Sequence, residues 1–374
     1  MQQAAFANNA EWLKGVGNAS DVVMSSRVRL ARNIAGFPFT PQASRIDRAQ
    51  ILEACKARIL NMQTQTPTRF LWIDLHKVQR EDRDLLVERQ LMSRQHARGK
   101  LSDGQGGLDE PRGVAVLIPD ERVSIMINEE DHIRLQAMKS GLALGACLLE
   151  ANEYDDLIEN GIDYAYHPRF GYLTACPTNV GTGLRLSVML HLPALKMTGE
   201  IEKVRRAARD MGLAVRGFYG EGSDSPGEFY QVSNQTTLGK SDDMLLREME
   251  QDIIPKIVGY ERTARQNIIS KRRELLEDQA WRALGTLRYA RSIKTDEAME
   301  LLSLVRFGVL SGIIPDVSIE SIHVLLLATQ PMHLQRTLGQ ALTQQQRRSA
   351  RAELIRKKLN ANSAGVTDRL SDES

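Results

Sequence analysis

The sequence predicts an α+β protein whose first two thirds form a mixed core and whose last third is helical. From about Asp21 to Lys240, short β-rich runs alternate with helical stretches and glycine-rich loops, whereas the residues after Ser241 follow a helical pattern with brief breaks. The chain has 374 residues, of which 42% are hydrophobic and 26% are charged. This composition is typical of a globular protein, and the length is sufficient for one large domain and a smaller one.

Two β-hairpins define the mixed core. The first pairs residues 114–118 with residues 123–127 across a Pro-Asp turn, and Val123, Ile125 and Ile127 alternate with Ser124 and Met126. The second pairs residues 213–219 with residues 228–233 across the polar loop GEGSDSPG. After the first hairpin, the spacing of apolar residues over 133–142 predicts a helix.

The helical third begins at Ser241, because Asp242 and Asp243 lie in a first turn, where acids suit the helix dipole. The expected breaks are at Gly259, Gly285, Gly312 and Pro331. We therefore predict an N-terminal extension over residues 1–20, an α+β domain over residues 21–255, a helical domain over residues 256–360 and a disordered tail over residues 361–374.

The charge balance and the cysteines limit the location and the partners. The 49 basic and 47 acidic residues leave a formal charge of +2, which provides no broad field for nucleic acid or an anionic membrane. Cys55, Cys147 and Cys176 are far apart and form no metal-binding motif. The chain shows no export signal and no run of 18 apolar residues, so we expect a cytoplasmic protein without a metal site of its own.

Arginines beside strands and glycines form the most informative pattern. Arg27 and Arg29 are two positions apart, so on an extended segment both point to one face and can clamp a phosphate chain. Alone, such a pair is usually a solvated surface strand. The functional interpretation gains support because Arg185 follows a Gly-Thr-Gly segment, Arg216 precedes a glycine, and Arg134 is expected one helical turn beyond an acidic run.

Carboxylates and one cysteine complete the candidate chemistry. Glu129, Glu130 and Asp131 follow an apolar strand directly, and Glu221 lies at the tip of the second hairpin. Two acids on separate loops would orient a guanidinium nucleophile and accept its proton, although an acidic run is also the ordinary start of a helix. Cys176 is either a small buried apolar residue or a thiolate beside a cationic substrate.

These motifs together resemble the phosphagen (ATP:guanido) kinases. The segments SSRVRLARN, NEEDHIR, CPTNVGTGLR and SNQTTLGKS carry this resemblance from about residue 20 to about residue 358. RGFYGEGS and HLPAL are similar to the bacterial protein arginine kinases of that family. The resemblance implies a guanidino-kinase core, in which helices flank an antiparallel sheet, followed by a small helical domain. It also implies the transfer of a phosphoryl group from ATP, with Mg²⁺, to the guanidinium of arginine in proteins.

The resemblance also implies roles for particular residues. The catalytic residues would be Glu130, Glu221 and Cys176. The residues expected to contact ATP are Ser25, Ser26, Arg27, Val28, Arg29, Arg134, Arg185, Leu186, Ser187, Val188, Met189, Arg216, Gly217, Phe218, Tyr219, Gly220 and Glu221.

Two positions depart from the family pattern. Gln90 stands where a histidine on the adenine side is expected, and the preceding Arg89 is expected to be an exposed charge outside the nucleotide site. Near the C-terminus, Arg348 replaces the acid of a phosphoarginine-binding signature and lies between Arg347 and Arg351. We therefore expect a degenerate phosphoarginine site with weakened binding.

The short segment before Arg27 favours protein arginine over free arginine. Small-molecule phosphagen kinases have a helical domain that helps to enclose the substrate before this motif, whereas about 20 residues precede it here. The alternatives are a free-arginine kinase and a non-catalytic adaptor of a Clp protease. The implied partners are proteins with exposed arginines, an activator subunit, a Clp ATPase or protease of protein quality control and the stress response, and a second copy bound through the C-terminal domain.

Overall fold

A computed structural model describes most of the chain. It covers residues 6, 10–63, 68–99, 101–102, 105–106, 110–217 and 226–371, with the backbone alone at 101–102, 105–106 and 361–371. Strands and helices alternate up to residue 234, and helices follow from residue 242.

Eight strands form one fully antiparallel sheet in the order β11-β12-β10-β1-β7-β6-β5-β2, and two further hairpins, β3-β4 and β8-β9, stand apart from it. The predicted hairpins are confirmed as the β5-β6 and β11-β12 pairs, whose registers include Ala115 opposite Ile125 and Val215 opposite Val232. The strands are β1 Val23–Arg32, β2 Arg69–Asp74, β3 Leu101–Ser102, β4 Gln105–Gly106, β5 Gly113–Ile118, β6 Val123–Ile127, β7 Ile133–Ser140, β8 Tyr166–His167, β9 Gly171–Tyr172, β10 Leu184–His191, β11 Leu213–Gly217 and β12 Phe229–Asn234.

Helices cover the sheet and then form the C-terminal region. A 3₁₀ turn at Glu11–Leu13 precedes β1, and a π-helical segment at Glu248–Ile253 joins α7 to α8. None of the helices within the described residues is long and apolar enough to cross a membrane. The helices are α1 Arg45–Leu60, α2 Arg80–Glu88, α3 Arg94–Arg98, α4 Leu144–Glu159, α5 Pro193–Met197, α6 Ile201–Asp210, α7 Asp242–Arg247, α8 Ile254–Lys271, α9 Arg273–Tyr289, α10 Thr295–Leu310, α11 Ile319–Ala328, α12 Pro331–Leu338 and α13 Gln344–Ser371.

Alternation along β1 separates the core from the functional face. Val28 and Leu30 are fully buried in the main apolar cluster, on the face of the sheet that α4 covers. Ser26 lies on the same face, where its hydroxyl donates to the carbonyl of Gly141 at 2.8 Å and accepts from the amide of Ala143 at 2.9 Å. Arg27 and the following arginine of β1 are half-buried on the opposite face. The period of two expected from the sequence is therefore present in β1.

The helix predicted over residues 133–142 is wrong, because residues 133–140 form strand β7. Ile133, Leu135 and Ala137 are fully buried, and Arg134 and Gln136 on the other face are also buried. A strand covered on both faces loses the simple alternation of apolar and polar residues, so its apolar residues can imitate a helical period. Arg134 consequently reaches its acidic neighbours from a strand.

Two of the four predicted helix breaks are also wrong. Gly312 and Pro331 do separate helices, but Gly259 lies inside α8 and Gly285 lies inside α9. A side chain added at either position would meet no atom within 4 Å. A glycine inside a helix costs about 1 kcal/mol relative to alanine, which the buried faces of these long helices can offset.

Candidate active site

The register of the sheet brings the predicted arginines onto one face. Arg29 of β1 lies opposite Arg185 of β10, and Arg27 lies opposite Ser187. On the other side of β1, Ala31 lies opposite Arg134 of β7. Directly paired residues in antiparallel strands share a face, so these side chains point to the same side of the sheet.

A cavity of about 370 Å³ lies on this face. All five arginines that the sequence predicted line it, together with Glu130 and Cys176. Arg94 of α3, which the sequence reasoning missed, is a sixth arginine in its wall. Among the described residues, the six arginines of the lining are accompanied by two carboxylates, those of Glu129 and Glu130, so this part of the lining carries an excess of positive charge. Such a cluster favours a polyanionic ligand.

Burial and repulsion between neighbouring guanidinium groups disfavour the charged form of the arginines in β1. Burial, together with the charges of Arg134 and Arg185, lowers the pKa of Arg27 to about 10. Burial and the same neighbours, with Arg27 added, hold the pKa of Arg29 well below its ordinary value. The Nε of Arg29 is buried and makes no hydrogen bond within the described part of the chain. An anion in the cavity would therefore relieve repulsion and supply a missing acceptor.

The two glutamates after β6 differ in how firmly they are held. Glu129 accepts hydrogen bonds from Arg134 at 2.5 Å, from the hydroxyl of Ser93 at 2.7 Å and from the amide of Glu130 at 2.8 Å. Burial alone would raise the pKa of Glu129, but these partners and the nearby His96 lower it to about 2. The side chain of Glu130 is 37% exposed, and its closest cation, on Arg134, is 3.5 Å away. Of these two carboxylates, that of Glu130 is therefore the more accessible to a ligand.

Asp131 fixes the loop that carries Cys176. Its carboxylate accepts hydrogen bonds from the side-chain amide of Asn33 and from the backbone amide of Ala175, both at 2.7 Å. The Sγ of Cys176 lies 3.0 Å from the hydroxyl of Thr178 and lines the cavity. The sequence offered no signal for this contact, because Asn33, Asp131 and Ala175 belong to three separate segments.

Gln90 lines the cavity and orients Arg27. Its side-chain oxygen accepts a hydrogen bond from Arg27 at 3.4 Å, and Gln231 accepts a second one at 2.6 Å. Gln90 has a φ of 65°, and its carbonyl accepts from the side chain of Gln136 at 2.7 Å. Gln90 and Arg27 also line a small adjoining cavity, together with Trp12 and three predicted ATP contacts, Ser25, Ser187 and Met189.

The expectation that Arg89 is an exposed charge is wrong. Arg89 is 2% exposed and donates two hydrogen bonds of 2.6 Å to the carboxylate of Glu121. It also lies 3.2 Å from the ring of His333 in α12. A charged helix end looks solvated in the sequence, but α12 and residue 6 cover it from distant parts of the chain.

Some predicted site residues do not line the cavity. The side chains of Ser26, Val28, Leu186 and Val188 are buried, and in these strands they alternate with the residues of the arginine-bearing face. Gly217 ends β11. Four predicted residues, Phe218, Tyr219, Gly220 and Glu221, lie outside the described residues.

The three arginines of the degenerate C-terminal signature lie in α13 and line neither cavity described above. Arg351 is 2% exposed and donates hydrogen bonds to the carbonyls of Thr329 at 2.7 Å and Ile293 at 2.9 Å. Arg347 donates to the carbonyl of Leu342 at 2.7 Å, and the carbonyl of Arg348 accepts from the amide of Ile293 at 3.2 Å. These contacts hold α13 against the neighbouring helices.

An antiparallel sheet that presents clustered arginines and a carboxylate to one cavity defines an enzyme of phosphoryl transfer. Residues 50–264 match the family of ATP:guanido phosphotransferases, in its C-terminal catalytic domain. Residues 273–369 match the C-terminal domain of the protein-arginine kinase McsB.

Curated relatives agree with these matches. A protein-arginine kinase of Symbiobacterium thermophilum is 40% identical over 353 residues, which cover 94% of this chain and 97% of the relative. A protein-arginine kinase of Geobacillus thermodenitrificans is 41% identical over 95% of both chains. The chain thus belongs to the ATP:guanido phosphotransferase family, among the protein-arginine kinases.

Solved structures of this family share the fold. Lombricine kinase has a TM-score of 0.56 and 25% identity, over 68% of this chain and 72% of that one. The duplicated taurocyamine kinase of Schistosoma mansoni, with bound transition-state analogue components, has the same TM-score and identity over 70% of this chain. This chain spans about a third of that duplicated protein, 35% of its length. The guanidino-kinase fold that the sequence predicted is confirmed.

Proposed function

We propose that this kinase transfers the γ-phosphoryl group of ATP to the guanidinium of arginine side chains in proteins. One observation carries the proposal: arginines from four strands, β1, β7, β10 and β11, face a single cavity that Glu130 and Cys176 also line. Phosphoryl transfer depends mainly on positioning and on neutralising charge spread over the phosphate oxygens, which is the chemistry that this arrangement can supply.

In the proposed reaction, a terminal nitrogen of the substrate guanidinium attacks the γ-phosphorus. An N–P bond forms while the bond between the γ-phosphorus and the β–γ bridging oxygen breaks, and ADP leaves with that electron pair. The nitrogen loses one proton, which the carboxylate of Glu130 accepts. Arg27, Arg29 and Arg185 would bind the phosphate oxygens, and Arg134 is held by its ion pair with Glu129.

Magnesium would enter bound to ATP and neutralise phosphate charge. Mg²⁺ usually keeps several waters and binds through substrate phosphates and one or two carboxylates. Within the described residues, no group of three or more histidine, cysteine, aspartate or glutamate side chains is suited to hold a metal. Glu129, which lines the same cavity, would be the carboxylate that contacts the metal or its waters, since Glu130 is assigned to the proton.

The choice of protein arginine over free arginine rests on the relatives. The curated relatives above are named protein-arginine kinases, and the match to their C-terminal domain extends over residues 273–369. Four further expectations remain predictions. They are an activator subunit, delivery of marked proteins to a Clp protease, a homodimer formed through the C-terminal domain, and a cytoplasmic location.

The identity of the phosphoryl acceptor can be tested by measuring ADP release with different acceptors. We expect ADP release from Mg-ATP with a protein rich in exposed arginine, and none with the same protein after its arginines are blocked by phenylglyoxal. Free arginine should be the poorer acceptor in kcat/KM. The reverse preference would indicate a small-molecule guanidino kinase, and no ADP release with any acceptor would favour the adaptor.

The role of Glu130 has its own test. Glu130→Gln should lower kcat by about 100-fold or more, the effect expected when a positioned base is lost. Glu221→Gln should do the same. Glu53→Gln, at an exposed position of α1, is the matched control and should leave the rate unchanged. A near-normal rate for Glu130→Gln would contradict the assignment.

A further inference from the structure

A further cavity, of about 340 Å³, is separate from the arginine-lined cavity of about 370 Å³, which we call the arginine pocket. One of its walls is the β8-β9 hairpin, with Tyr166, Phe170 and Tyr172, and the other wall is residues 237–242, with Leu238. We call it the hairpin groove. None of these residues has a part in the phosphoryl transfer proposed above.

The walls of the hairpin groove expose large apolar side chains. Tyr166 is 59% exposed, Leu238 is 57% exposed and Phe170 is 44% exposed. Single exposed apolar residues are ordinary, but a set of them around one cavity is typical of a binding surface.

The aromatic rings of the groove are held in place by their neighbours. The rings of Tyr166 and Tyr172 meet edge to face with centroids 5.5 Å apart, and Phe170 stacks on His167 at 4.9 Å. The guanidinium of Arg32 lies 3.6 Å from the centroid of the Tyr172 ring. A wall that is fixed before binding loses little conformational entropy when a ligand packs on it.

Both walls are fastened to the same short segment of backbone. The amide of Tyr172 donates to the carbonyl of Gly181 at 2.8 Å, and a side chain on Gly171 would come within 2.4 Å of that oxygen. From the other wall, the hydroxyl of Thr237 donates to the carbonyl of Val180 at 2.8 Å. The spacing of the two walls is therefore set by residues 180–181.

This segment continues directly into the arginine pocket. Cys176, Thr178 and Asn179 line that pocket, and Gly181 lines the hairpin groove. Five residues span at most about 18 Å when fully extended, so the two cavities lie within that reach of each other. A polypeptide advances about 3.3 Å per residue when extended, so residues within about five positions of a bound arginine can enter the groove.

The charges of the groove favour a neutral occupant with hydrogen-bond donors. Lys240 is paired with Glu248 at 2.6 Å, so the remaining charged side chains of the lining are one cation, Arg169, and one anion, Asp242, whose carboxylate is also stabilised by Arg32. One carboxylate oxygen of Asp242 is buried and accepts no hydrogen bond from any described residue. A backbone amide or a hydroxyl would satisfy this oxygen, while an apolar side chain covers the rings.

We propose that the hairpin groove binds the substrate polypeptide beside the target arginine, through an apolar or aromatic side chain within about five positions of it. This proposal rests on the protein-arginine kinase activity proposed above. Under this proposal, the groove helps to select which arginines are phosphorylated. It does so mainly by lowering the KM for substrates that place an apolar side chain in it.

The test uses peptides with a single arginine in a glycine, serine and alanine background. One phenylalanine is moved from five positions before the arginine to five positions after it. We expect the best peptide to exceed the peptide without phenylalanine by about tenfold in kcat/KM, mostly through a lower KM. Leu238→Ser should remove this advantage and leave the rate with the phenylalanine-free peptide unchanged.

Leu149→Ser is the matched control, because Leu149 in α4 is 75% exposed and does not line the groove. It should keep the tenfold preference. Equal rates for all peptides, or a preference that survives Leu238→Ser in a folded variant, would overturn the groove proposal while the kinase proposal stands. If no peptide is phosphorylated, both proposals fail. A change of mass in solution with Leu238→Ser, without loss of the preference, would show that the groove binds a second copy.

Discussion

Replacing Arg29 should weaken ATP binding and strengthen the fold at the same time. Its guanidinium faces Arg27, Arg134 and Arg185, and its buried Nε lacks a hydrogen bond within the described residues. The unliganded protein therefore bears an unfavourable concentration of charge, which ATP would neutralise. Functional sites often carry such a cost in stability.

The expected changes in ATP affinity and in the free energy of unfolding can be estimated from the surroundings of Arg29. A hydrogen bond to a charged group contributes about 1.5 to 3 kcal/mol, so Arg29→Met should weaken ATP binding by about 10- to 150-fold. Methionine fills a similar volume without the charge, so the free energy of unfolding should rise by about 1 kcal/mol. Calorimetry with Mg-ATP and urea unfolding of the unliganded protein measure the two effects.

The control is Arg282→Met, because Arg282 of α9 has a side chain that is 79% exposed. Both the dissociation constant and the free energy of unfolding should stay within error. An Arg29→Met variant that binds ATP normally would refute the assignment of this arginine to the nucleotide. A variant that loses several kcal/mol of stability would refute the argument about repulsion.

Three further predictions concern buried groups. Arg89→Met should lower the free energy of unfolding by about 3 to 5 kcal/mol, because the charge of Glu121 is left unpaired. The double variant Arg89→Met with Glu121→Leu should recover most of that loss. Equal losses for both variants in urea unfolding would contradict the pairing. Iodoacetamide should modify Cys176 in the folded protein and spare the other two thiols, whose burial raises the pKa of each to about 12, as peptide mapping would show. Burial lowers the pKa of His96 from 6.5 to about 4. Between these pH values the His96 imidazole stays neutral in the folded protein but binds a proton in the unfolded chain. The free energy of unfolding should therefore fall by up to about 3 kcal/mol as the pH drops from 6.5 to 4. In His96→Gln that part of the pH dependence should disappear, and an unchanged profile would contradict the assignment.

The arginine cluster was predictable because it depends on local patterns. A period of two places Arg27 and Arg29 on one face of any strand, and glycines mark Arg185 and Arg216 as neighbours of flexible backbone. What the sequence alone could not provide is the register, which sets Arg29 opposite Arg185. The family resemblance assigned these arginines to one ATP site but did not give the register, since pairing between distant strands is not encoded in either strand.

Burial by distant segments explains the failures. Arg89 follows a run of charged residues, and its cover comes from residue 6 and from His333, 244 residues further along the chain. Asp131, which the sequence showed only as part of an acidic run, also takes its partners, Asn33 and Ala175, from distant segments. Arg351 is part of a basic run in the sequence, yet carbonyls of two other segments enclose its guanidinium. Local composition indicates which residues are charged but gives no information on which become buried.

The position of the transferred phosphate is the most direct test of the proposed kinase activity. The protein is incubated with Mg-ATP and a protein substrate, and the phosphorylated residues are identified by mass spectrometry at neutral or mildly basic pH, where an N–P bond survives. We expect phosphate on arginine that is lost on brief acid treatment and that forms about 100-fold more slowly, or slower still, with Glu130→Gln. Acid-stable phosphate on serine, threonine or tyrosine, or phosphoarginine formed undiminished by Glu130→Gln, would contradict it.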